Sequence, residues 1–230
     1  MSFVIDPPVQ PSVAVKGGGK FPVRRIFCIG RNYDDHVREM GGDPKNSTPV
    51  FFTKPADAVV PDGATLPYPQ RTSNLHFEGE LVLALKSGGR DIKSADAAKA
   101  LIYGYAAGCD LTRRDLQNKA KDAQGPWDTA KGFDHSAPIG EIVPADELLS
   151  GLACAQLATT VNGEVRQRAP LSMMIWSPEE IIMFLSELFE LKSGDLIFTG
   201  TPEGVGELTR GDQLNVTIGD HLSLDFAIAS

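Results

Sequence analysis

The 230-residue chain is poor in several features that would assign a protein at once. Its three cysteines, Cys28, Cys109 and Cys154, are too few and too scattered for a disulfide framework or a thiolate metal site. A reducing compartment, the cytoplasm, is therefore expected. Apolar runs such as Ile181-Ile182-Met183-Phe184-Leu185 fall far short of the roughly 20 residues that span a bilayer. The first residues, MSFVIDPPVQP, have neither the basic nor the apolar region of a signal peptide. No basic tract is present: 22 Lys and Arg face 30 Asp and Glu, a net charge of −8. That balance excludes a protein built to neutralise nucleic-acid phosphates.

What is present is an ordinary globular composition, 42% hydrophobic and 23% charged, with a mean hydropathy of −0.12. A chain of this length buries roughly 70–75% of its unfolded surface. Residues 1–22, rich in Pro and Gly, read as an extended arm, and 23–230 as one β-rich mixed domain without an interdomain linker. Strand patterns occur at 25–29, 49–53, 80–86, 104–111, 156–161, 164–168, 195–199, 212–218 and 221–228. Asn162-Gly163 between two of them is a type I′ hairpin signal. A short helix N-capped by Asn32 and ended by Gly41-Gly42 is expected, and another from Ser94 to Ile102. A third opens with Ser177-Pro178-Glu179-Glu180, a capping box with Pro at N1. The fold class is α+β and β-rich, with a few flanking helices.

The most informative local pattern is Phe77-Glu78-Gly79-Glu80-Leu81. Side chains in a strand alternate, so Glu78 and Glu80 leave one face, roughly 7 Å apart. Solvated glutamates at an exposed strand end are the plain reading. A third carboxylate, Asp110, ends a second apolar strand whose small residues (Ala106, Ala107, Gly108) permit close backbone approach. Three hard oxygen donors from two strand ends suit Mg2+ or Mn2+, with positions left for substrate and water. Spacing alone does not bring Asp110 to the glutamates.

Five segments taken together resemble the fumarylacetoacetate hydrolase family, particularly its short acylpyruvate and fumarylpyruvate hydrolase members. They are GRNYDDHVREM at 30–40, FEGEL at 77–81, CDLTRRDLQ at 109–117, WDTAKGFD at 127–134 and TGTPEGVG at 199–206, in the family's order. The resemblance implies a mixed β-sandwich or roll, usually a homodimer, with Mg2+ on Glu78, Glu80 and Asp110. It also implies that Arg114, Gln117, Lys131 and Thr201 hold a keto-acid, and that His36 and Glu39 activate water. Two departures stand out. Phe77 occupies a position where relatives often carry His or Tyr, with His76 one place earlier, and Arg113 stands where many have a small residue.

The residue chemistry agrees. His36 and Glu39 are i and i+3 on the expected short helix, so the carboxylate can orient the imidazole, and the glycines that follow suit a hinged lid over 34–48. Three carboxylates and one divalent ion leave a local charge of −1, which Arg114 and Lys131 offset before a dianionic substrate arrives. Gly200 and Gly204 suggest a tight loop presenting N–H groups and the Thr201 hydroxyl; no P-loop Gly-Lys-Ser/Thr follows. Cys109, without a paired His, reads as a buried structural thiol. The resemblance implies hydrolysis of the C–C bond of an acylpyruvate, fumarylpyruvate foremost, as in gentisate-type aromatic catabolism. Oxaloacetate decarboxylation or a general acylpyruvase activity is the alternative. Arg31 and Arg38 are the candidates for a distal substrate carboxylate.

Overall fold

The computed structural model describes residues 3–33, 49–148, 152 and 154–230. A central mixed sheet runs in the order β4 (Val50–Lys54), β3 (Arg25–Gly30), β15 (Asp195–Phe198), β8 (Gly79–Leu85), β9 (Ile102–Cys109), β11 (Ala137–Ile139), β5 (Val59–Pro61). β12 (Val143–Pro144) pairs with β9 off this path. β8 is buried at every position, because both faces of the sheet are covered. Its continuous apolar run reflects that double burial.

One face, carrying Leu81, Leu83 and Leu85, packs on a second sheet ordered β14 (Glu164–Pro170), β13 (Gln156–Val161), β17 (Gln213–Ile218), β18 (Leu222–Ile228), β6 (Ala64–Leu66). The strands β17 and β18 alternate buried and accessible residues, as a one-sided antiparallel layer requires. These two sheets form the expected sandwich. The opposite face, carrying Val82, Ala84 and Ala106, is covered by Val13, Val15 and Phe21.

That cover corrects the expected N-terminal arm. Residues 3–10 are exposed, but β1 (Ser12–Ala14) and β2 (Lys20–Pro22) form an antiparallel hairpin. Val13, Val15 and Phe21 stand at alternating positions, and burying them against the sheet outweighs the local Pro and Gly content. A small third sheet joins β10 (Thr112–Arg113), β7 (Leu75–Phe77) and β16 (Gly206–Leu208).

The helices are α1 (Ala95–Ala100), α2 (Arg114–Asp122), α3 (Asp128–Lys131) and α4 (Pro178–Leu188). α1 ends two residues before the expectation because Ile102 already enters β9. α4 has its capping box: Ser177 Oγ accepts from the Glu180 N–H, and the Glu180 carboxylate accepts from the Ser177 N–H at 2.8 Å. Asn162 and Gly163 both have positive φ, 52° and 82°, as the hairpin turn requires. No described helix is long and apolar enough to cross a membrane. The helix expected from Asn32 to Met40 falls almost wholly outside the described residues. Asn32 itself reaches across the fold: its Nδ2 donates to the Thr199 and Trp176 carbonyls, and its Oδ1 accepts from the Trp176 N–H.

Candidate metal and active site

Pairing of β8 with β9 decides the site. Gly79 stands opposite Cys109 and Glu80 opposite Gly108, so the chain leaving β9 runs beside Glu78. The Asp110 N–H donates to the Glu78 carbonyl at 2.8 Å. One carboxylate oxygen from each of Glu78, Glu80 and Asp110 then lies within 4.8 Å of the others, and all three residues are buried. Three hard oxygen donors converging in this way fit a divalent cation.

The cluster carries its own cations. Lys131 Nζ, at the end of α3, donates to Glu78 Oε2 at 2.8 Å, Asp110 Oδ2 at 2.7 Å and Thr112 Oγ1 at 2.7 Å. Burial alone would lower its pKa, but the Asp110 and Glu78 carboxylates outweigh burial and hold it above the ordinary lysine value. Arg114, at the start of α2, pairs through Nη2 with Glu78 and donates through Nη1 to Gln117 Oε1 at 2.5 Å. Glu80 forms no ion pair among the described residues: its Oε2 accepts from the Gly200 N–H at 2.7 Å. Burial, then the charges of Asp110 and Glu78, push its carboxyl well above the usual range.

Lys54, at the end of β4, was not singled out in the sequence. Its Nζ lies 2.7 Å from Asp110 Oδ1 and donates to the Leu111 and Lys131 carbonyls. Gln167 of β14 is a second such residue. It accepts from the Gly79 N–H at 3.0 Å and donates to Thr201 Oγ1 at 2.8 Å and the Pro202 carbonyl at 2.9 Å. It thereby ties the start of β8, between the two glutamates, to the Thr201 loop. A lysine closing an apolar strand before Pro55 is a faint signal for Lys54; Glu164–Pro170 gives none for Gln167.

The Thr201 loop faces inward more than its glycines suggest. Gly200, at φ +93°, turns its N–H onto Glu80, and Thr201 Oγ1 donates to the Gly79 carbonyl at 2.8 Å. Phe77 is a core side chain, while His76 Nδ1 accepts from Arg114 Nε at 3.4 Å. Burial and the Arg114 charge lower His76 to about 4, so it is neutral at pH 7. Arg113 turns away, its guanidinium 4.3 Å from the Phe133 ring centroid. Cys109 is fully buried, and burial raises its thiol pKa. His36, Glu39, Arg38 and the 34–48 lid lie outside the described residues.

Above the carboxylates is a narrow cleft lined by Arg31, Phe52, Arg114, Gln117, Trp127 and Lys131, among others. It adjoins a cavity of about 520 Å³ that shares Phe52, Trp127 and Lys131. The two rings stand 5.8 Å apart between centroids.

A β-rich α+β domain with three carboxylates gathered at strand ends, under an aromatic-walled cleft, defines the class of protein. Residues 25–229 match the family described as fumarylacetoacetate (FAA) hydrolase C-terminal, and the chain belongs to that family. A fumarylpyruvate hydrolase of Ralstonia sp is 48% identical over 166 residues, 71% of this chain and 84% of that protein. An oxaloacetate tautomerase of Escherichia coli is 39% identical over 201 residues, 87% of this chain and 91% of that protein. The crystal structure of fumarylpyruvate hydrolase from Pseudomonas aeruginosa in complex with Mn2+ and pyruvate matches with a TM-score of 0.95. That match covers 99% of each chain at 44% identity.

Proposed function

We propose that this protein is a metal-dependent hydrolase that cleaves fumarylpyruvate to fumarate and pyruvate, a step of gentisate-type aromatic catabolism. The observation that carries the reading is the buried meeting of Glu78, Glu80 and Asp110 with Lys131 and Arg114. Glu78, Glu80 and Asp110 would hold the divalent ion, Mg2+ with Mn2+ as a substitute of the same hard preference. When bound, that ion supplies Lewis-acid polarisation of the 2-oxo-acid oxygens.

The protein's own groups do the rest. Among the described residues the three carboxylates share their surroundings with three buried cations, Lys54, Arg114 and Lys131, so the cluster's own charges balance once all three carboxylates are ionised. A divalent ion then matches the charge of a dianionic keto-acid. Arg114, with Gln117 beside it, offers a planar fork to the substrate's carboxylate. The water oxygen bonds to the distal acyl carbon, and His36, oriented by Glu39, takes the water proton. The C–C bond breaks, its electron pair passes to the pyruvate enolate, and protonation of the enolate carbon releases pyruvate. Lys131 places a fixed positive charge where the enolate oxygen develops. Thr201, engaged with Gly79 and Gln167, forms the adjoining wall.

Relatives named oxaloacetate tautomerase favour a second reading, enolisation of oxaloacetate at the same site. Pyruvate release from fumarylpyruvate, acetylpyruvate and oxaloacetate, at saturating Mg2+, separates the two. Fumarylpyruvate is expected to have the highest kcat/KM. Keto–enol conversion of oxaloacetate without acylpyruvate cleavage would reverse the assignment. The proposal includes a cytoplasmic homodimer, for which light scattering should give twice the 24.7 kDa chain mass.

A further inference from the structure

One face of α2 ends in a cation that the carboxylate cluster does not use. Arg114, Gln117 and Lys121 stand at i, i+3 and i+7, a single stripe of the helix, and all three line the cleft. Arg114 and Gln117 bond Glu78 and each other, beside the carboxylate cluster where the 2-oxo-acid end is assigned above. The Lys121 side chain has no ion pair or hydrogen bond among the described residues; its Nζ lies 5.7 Å from the Trp127 ring centroid. Arg31, also lining the cleft, is a second cation without a partner among them. Its backbone is left-handed, φ 65°, an uncommon conformation for a side chain of this size.

Cations gathered on one side of a cleft repel one another until an anion enters. Burial, then the charges of Arg114 and Arg31, lower Lys121 to about 8, against a weaker opposing pull from Glu78. The metal cluster does not supply that anion: Glu78 and Asp110 are already paired with Arg114, Lys131 and Lys54, and Glu80 accepts from the Gly200 N–H. Seven residues at ~1.5 Å rise carry Lys121 about 10 Å along the helix from Arg114, the scale of an extended seven-carbon diacid. Trp127 and Phe52 line the same cleft and offer flat apolar faces to a conjugated acyl chain.

We propose that Lys121, with Arg31, forms the subsite for the distal carboxylate of the substrate, the group that fumarylpyruvate has and acetylpyruvate lacks. This selectivity rests on the hydrolase reading above. Lys121→Met is expected to lower the ratio of kcat/KM for fumarylpyruvate over acetylpyruvate by about tenfold or more, mainly through KM. Lys121→Arg should restore most of that ratio, because the charge and its hydrogen bonds return. Calorimetry gives a readout independent of turnover: fumarate binding to Mn2+-loaded protein should weaken several-fold in Lys121→Met, and pyruvate binding much less. Equal proportional losses on both substrates, or fumarate affinity that does not move, would overturn the subsite. If the wild-type protein cleaves neither acylpyruvate, the hydrolase reading falls, and the fumarate titration alone decides the subsite.

Discussion

Lys54 Nζ lies 2.7 Å from Asp110 Oδ1, with both side chains withdrawn from solvent. The same ammonium donates to the backbone carbonyls of Leu111 and Lys131, so one buried charge pins the turn after β9 to the end of α3. These are the segments that carry Asp110 and Lys131. The pair fixes the spacing of a carboxylate and a cation that both serve the cleft.

Removing one member of a buried pair leaves the other charge without compensation, at about 3–5 kcal/mol. Lys54→Met should therefore lower Tm by about 6–20 °C, at roughly 2–4 °C per kcal/mol for a chain of this size. Thermal unfolding followed by circular dichroism measures it. A shift of only a degree or two would mean that Asp110 is held by Lys131 alone.

Divalent ions should stabilise the fold through the same cluster. At a hundredfold excess over Kd, a ligand that binds only the native state adds about 2.7 kcal/mol, or about 5–10 °C in Tm. Glu80→Gln removes one donor while the amide oxygen can still accept from the Gly200 N–H. That variant should fold and lose most of the Mn2+-induced shift. Scanning calorimetry with Mn2+ and with EDTA compares the two proteins. An undiminished shift would place the ion elsewhere.

A methyl group at Gly79 would fall 2.1 Å from Thr159 Oγ1 and 3.2 Å from Gln167 Oε1. No real contact is that short, so Gly79→Ala must push the start of β8, between Glu78 and Glu80, away from β13. Overpacking of this kind costs about 1–3 kcal/mol or more. The variant is expected to melt several degrees lower and to bind Mn2+ more weakly, as isothermal titration would report. Wild-type affinity in Gly79→Ala would show that the position of this strand start does not control the donors.

The pH dependence of selectivity should follow Lys121. Its pKa is depressed to about 8, so the ammonium is charged below that value and neutral above it. Arg114, Arg31 and Lys131 act on it from the cleft as repelling charges, Glu78 opposes them, and the Trp127 ring faces the ammonium. The preference for fumarylpyruvate over acetylpyruvate, read as kcat/KM, should be full near pH 7 and decline through pH 8–9. In Lys121→Arg the decline should vanish, because arginine stays protonated throughout. A ratio independent of pH in the wild type would count against this assignment.

Much of the scaffold was legible because its signals are local. The capping box at Ser177 and the Asn162-Gly163 turn need only a few neighbouring residues, and both formed as read. α2 was missed because its buried residues are Arg114 and Gln117. A helix that docks through a polar face leaves no apolar period to find. The N-terminal hairpin was misread for the converse reason: Pro and Gly marked its turns, and hid the alternation of Val13, Val15 and Phe21.

By itself, the sequence determined that Glu78 and Glu80 leave one face, since strand geometry allows nothing else for residues two apart. It also determined that Cys109 and Asp110 take opposite sides of their strand. Only the tertiary structure decided that Asp110 joins the glutamates, because that depends on the register of β8 against β9. The same holds for Lys54, Gln167 and Lys121. Their roles arise from distant segments meeting, where burial removes competing water and makes each charge and hydrogen bond count.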